Sequence, residues 1–115
     1  MSDKTQIARL ARVSQAILDQ RLDALRRISA DLDRSRAQRR ALDASADPAD
    51  LPPIAAQQVA LTYERWADQR RAELNLVIAR QTATLIEARQ VAGTALGRVQ
   101  VLDILIQKSK ARPAD

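Results

Sequence analysis

Arginine is the side chain with the most chemistry to offer in this sequence. It supplies 16 of the 19 basic residues, against 14 Asp and Glu, giving a formal charge of +5 over 115 residues. A planar guanidinium favours bidentate contacts to carboxylate or phosphate, whereas solubility alone would be served as well by Lys. The densest run is Arg34, Arg36, Arg39 and Arg40, superficially a nucleic-acid arm. It is flanked by Asp31, Asp33 and Asp43 and lacks aromatic platforms for bases, so a solvated, ion-paired helix face accounts for it better.

Catalytic chemistry is absent. Without His the chain lacks the commonest general base and metal ligand. Without Cys it has neither thiolate ligands nor disulfides, which fits a cytoplasmic protein. Its three Glu residues fall in no metal-ligand pattern, and no Gly-rich loop could cradle a phosphate. The expectation is a non-enzymatic protein with no catalytic, cofactor or metal site, acting by binding. The N-terminus enters a polar helix start by Asp3, so no signal peptide is expected. No apolar run approaches the ~18 residues of a membrane span.

Two long helices must position whatever binds. Gly occurs twice, and Ala, Arg, Leu and Gln, all good helix formers, dominate. In the second half, Val59, Tyr63, Trp66, Leu74, Val77, Leu85, Ala88, Val91, Ala95, Val99, Leu102 and Ile106 follow helical steps of three and four, or their sums. In the first half, the seam is Ile7, Leu10, Ala11, Leu18, Leu22, Leu25, Ile28, Leu32 and Leu42. Leu18, Leu25 and Leu32 recur at coiled-coil spacing. Asp47-Pro48 and Leu51-Pro52-Pro53 break the pattern, with Asp50 a candidate N-cap. The expected fold is all-α, a single antiparallel two-helix coiled-coil hairpin with a longer C-terminal helix. Its helices should cover about 3–44 and about 53–111, with a tip at about 45–52.

A tight turn near residue 48 sets opposite each other residues whose numbers sum to roughly 96. Leu32 then faces the Tyr63–Trp66 region, and Ile7 meets the stretch near Arg89. Arg39, Arg70 and Gln81 interrupt the seam, as long stems lying over it or as register-fixing polar residues. This register leaves about fifteen residues of helix 2 unpaired, a basic-ended apolar overhang. Val99, Leu102, Leu105, Ile106 and Lys108 are its candidate partner-binding residues. A second stripe, Leu61, Ala72, Leu76, Ala79, Ala83 and Ile86, lies nearly opposite the seam of helix 2. A hairpin cannot bury both faces, so Leu61, Leu76, Ala79, Ala83 and Ile86 are further candidates for a partner surface. Alanine's plain helix propensity is the competing account.

The opening, Ile7-Ala8-Arg9-Leu10-Ala11-Arg12-Val13 through Leu25-Arg26-Arg27-Ile28, and the closing stretch from Ala95 to Lys108 resemble the FliJ family of flagellar type III export and its YscO-like injectisome relatives. The resemblance implies a stalk like the ATP synthase γ subunit, seated in a hexameric export ATPase and coupling it to the cytosolic domain of the export gate. It also implies an escort for export chaperones, cytoplasmic and peripheral to the membrane only through partners. The overhang would then enter the ring. The alternatives are an unrelated coiled-coil adaptor or dimerisation protein and, less favoured, a basic coiled coil on nucleic acid.

Overall fold

A computed structural model describes residues 3–44 and 51–111, and both elements are α-helical: α1, Asp3–Ala41, and α2, Pro53–Ala111. The helices have 39 and 59 residues, so the C-terminal one is the longer. Asp3 stands in the first turn of α1, and Arg39 and Arg40 in its last, each complementing the helix dipole. Lys108 and Lys110 do the same at the end of α2. Both glycines lie inside α2 without positive φ. The expected tip falls mostly outside the described residues, as does Asp50. No helix among the described residues is long and apolar enough to cross a membrane.

The chain divides into two compact units, each holding a stretch of both helices. The terminal unit comprises Met1–Ile28 and Thr84–Asp115, and the connector unit is Ser29–Ala83. In the connector unit the core is Leu32, Leu42, Ala67 and Leu74, with Leu32 only 1% exposed. In the terminal unit it is Leu18, Leu85, Ala92 and Ala95, with Ile7, Leu25, Ala88, Val99, Leu102 and Ile106 half-buried.

The inward positions of α2 alternate steps of four and three: 67, 71, 74, 78, 81, 85, 88, 92, 95, 99, 102, 106 and 109. This is the 3.5-residue period of a coiled-coil seam. It corrects the sequence reading at several places. Val59, Trp66, Val77 and Val91 were expected in the seam and are exposed, as is Leu10 on α1. Ala67, Ile78 and Ala92, one residue further on, turn inward instead of Trp66, Val77 and Val91. At 66 and 91 the larger apolar neighbour attracts a reading by residue type, but at all three places the heptad phase decides which side chain faces the partner helix.

The register differs more. In the connector unit Leu42, which the expected pairing puts opposite Ile54, holds out its carbonyl to Arg71. In the terminal unit Ile7, expected near Arg89, lines one groove with Ile106, Ser109 and Lys110. Both partners lie seventeen positions further along α2 than anticipated. The overhang is therefore not where it was expected. The first turns of α1 accompany the C-terminal turns of α2, and Val99, Leu102 and Ile106 belong to the seam. The surplus length of α2 lies at its other end, where Pro53 to Tyr63 run past the close of α1.

The cause is the way α1 ends. Its last carbonyls lack intrahelical donors. Leu42 donates to the Arg39 carbonyl (3.2 Å) and Asp43 to that of Arg40 (3.0 Å), tightening the final turn. The Tyr63 hydroxyl then donates to the carbonyl of Ala44 (2.8 Å), and Arg71 Nη2 donates to that of Leu42 (2.9 Å). The exit of α1 is thereby fixed level with residues 63–71 of α2, several turns beyond Pro53.

Candidate functional site

The described residues contain no cluster of three His, Cys, Asp or Glu side chains able to hold a metal. What distinguishes the surface is the placement of charge and of exposed apolar side chains, and the two units differ in both.

In the connector unit Arg and carboxylates balance, eight against eight. Arg71 is their hub: Nη1 lies 2.8 Å from Asp68 and 3.7 Å from Glu64, and Nε lies 3.5 Å from Asp43. Arg34 pairs with Asp31 and Arg70 with Glu73, each at the i,i+3 spacing of helical neighbours. Arg39, which interrupts the seam, donates to the Asn75 side-chain oxygen at 2.9 Å. Gln81, at another interruption, has its amide oxygen buried without a hydrogen bond among the described residues. A buried polar atom left without a partner costs stability. The basic run at residues 34–40 is thus partly occupied within the helices, as its flanking aspartates suggested.

The connector unit also exposes apolar groups. Trp66 is 55% exposed, its ring 5.8 Å from that of Tyr63. Leu61 and Leu76 of the second stripe are exposed, as are Ala72, Ala79 and Ala83. Ile86, which the stripe counted with them, is exposed in the terminal unit.

In the terminal unit eleven Lys and Arg face six Asp and Glu, so this unit carries the entire net charge. Among its described residues only Arg26 and Asp23 form an ion pair, at 2.7 Å. Arg9, Arg12, Arg21, Arg27, Arg89 and Arg98, with Lys4, Lys108 and Lys110, form none among the described residues. Exposed large apolar side chains stand between them: Leu10, Val13 and Ile17 on α1, and Val91, Leu96, Val101, Ile104 and Leu105 on α2. Of the candidates from the supposed overhang, Leu105 and Lys108 are exposed, whereas Val99, Leu102 and Ile106 are half-buried.

Sequence reasoning missed Leu10, Val13 and Ile17 as surface residues. Their i,i+3,i+7 spacing on α1 was legible, but it flanks the true seam closely enough to merge with it. No family model matches the chain, and neither a curated protein nor a solved structure matches it.

Proposed function

We propose that the protein is a non-enzymatic, antiparallel two-helix coiled coil that works by binding other proteins, as a stalk and chaperone escort in a protein-export apparatus of the flagellar type. The observation that carries the binding reading is the terminal unit's surface, where nine cations without an ion pair among the described residues accompany exposed apolar side chains. Unpaired arginine beside apolar surface suits an acidic partner better than plain solvation. The export assignment rests on the resemblance of residues 7–28 and 95–108 to the FliJ and YscO-like proteins.

On this reading the terminal unit, with α1 and α2 side by side, enters the hexameric export ATPase. The groove that Ile7 shares with Ile106 supports entry as a helix pair in place of the lone C-terminal helix expected from the sequence. The exposed stripe of Leu61, Leu76, Ala79 and Ala83 is left for the export gate's cytosolic domain or export chaperones. The protein would be cytoplasmic, reaching the membrane only through these partners.

The test is stimulation of a purified hexameric export ATPase by the full chain, with co-purification from the host. Replacing Arg9, Arg12 and Arg98 together by Glu should abolish stimulation while leaving the helical circular dichroism signal intact. A chain that neither binds nor stimulates the ATPase would leave the unrelated coiled-coil adaptor as the reading.

A further inference from the structure

One side of the terminal unit is built as a groove. Ser14 on α1 and Thr94, Gly97, Arg98, Val101 and Leu102 on α2 line it. The groove is open, and a Cβ added at Gly97 would meet nothing within 4 Å. Exposed apolar side chains flank it in sequence: Leu10, Val13 and Ile17, at i, i+3 and i+7 around Ser14 on α1, and Leu105, one turn beyond Val101 on α2. Placed at 100° per residue about the buried seam, these five side chains share one side of the helix pair. Val13 is 56% and Val101 57% exposed, far more than a seam residue would be.

The same side carries Arg21 and Arg98, neither in an ion pair among the described residues. The carboxylates of these stretches, Asp19 and Asp103, project to the other side and accept hydrogen bonds from Gln15 and Gln107. The groove is thus apolar along its length, cationic at its rim and free of acid. An amphipathic helix is the ligand that fits such a trough, with residues at i, i+3, i+4 and i+7 entering it. Charge decides whose helix it is. A second copy would bring another unit of net charge +5 against this one, whereas an acidic helix would be drawn in.

We propose that this groove docks an acidic amphipathic helix of a partner protein, with Leu10, Val13, Ile17, Val101 and Leu105 gripping its apolar stripe and Arg21 and Arg98 pairing with its carboxylates. This rests on the reading of the chain as a binding protein and is independent of the export assignment.

The experiment uses the full chain and a fluorescent peptide of about three heptads, Leu at the inward positions and Glu elsewhere, with a Lys-for-Glu version as its counterpart. Anisotropy should show saturable binding of the acidic peptide and none of the basic one. Val13→Asp and Val101→Asp should each weaken binding about tenfold or more, with melting temperatures close to the parent because both sites are exposed. Gly97→Leu should also weaken it by filling the groove, even as it raises helix content. Leu76→Asp, in the connector unit, should leave binding unchanged.

Equal binding of both peptides, or indifference to Val101→Asp, overturns the proposal. So does a doubled mass of the chain alone in light scattering that Val101→Asp halves, which would assign the groove to a second copy. Binding to phosphatidylglycerol vesicles that the same substitutions abolish, without peptide binding, would assign it to a lipid surface. Peptide binding without ATPase stimulation would keep the groove and discard the export apparatus.

Discussion

The connector unit and the terminal unit follow the same heptad grammar and use their charges in opposite ways. In the connector unit eight cations are matched in number by eight carboxylates, and Arg71 alone engages Asp43, Glu64 and Asp68 while binding the end of α1. In the terminal unit cations outnumber carboxylates by five, and most of the described ones form no ion pair among the described residues beside exposed Leu, Ile and Val. A charge spent on its own fold carries little information about partners. A charge left open beside apolar surface does, because its favourable interactions remain to be made. The same arginine-rich composition is therefore engaged with the fold in one place and left open to solvent in the other.

The contrast breaks first at the core. Leu32→Ala in the connector unit should destabilise the chain by about 2–5 kcal/mol, the range for deleting a fully buried leucine. Urea unfolding measures it. A loss below about 0.5 kcal/mol would mean that Leu32 is not enclosed by α2, and the register would fall with it.

A smaller effect separates the two uses of arginine. Arg71→Ala should cost about 1–2 kcal/mol, since it frees the Leu42 carbonyl and removes three carboxylate contacts from a side chain that is only a quarter exposed. Arg98→Ala in the terminal unit should stay within about 0.5 kcal/mol. If the two substitutions cost the same in thermal melts, the division between structural and open charge is wrong.

The smallest change has the opposite sign. A Cβ at Gly93 meets nothing within 4 Å, and the residue is helical without positive φ. Gly93→Ala should therefore stabilise by up to about 1 kcal/mol through helix propensity. Destabilisation would show that α2 needs a glycine there, for a close approach this structure does not contain.

Much of this fold was legible from residue types. Leu18, Leu25 and Leu32 announced a heptad seam, the prolines at 48, 52 and 53 separated two helices, and α2 starts at Pro53. The outward stripe of Leu61 and Leu76 was legible too, because a side chain opposite the seam has nothing to face but water. Local propensity and periodicity decide these matters, and both are written along the chain.

Register was not written there. A heptad repeat looks alike when shifted by whole heptads or half-heptads, so periodicity offers several pairings of nearly equal merit. The shortest connection picked one, and it was off by seventeen positions. What chose the observed pairing was a set of contacts far apart in sequence: Tyr63 and Arg71 on the last carbonyls of α1, and Arg39 on Asn75. These are polar, directional and satisfied at one alignment only, so the tertiary structure alone could supply them. The same alignment moved Val99, Leu102 and Ile106 from a supposed free end into the seam. It also brought Ser14 of α1 to Gly97 of α2, where the open groove lies.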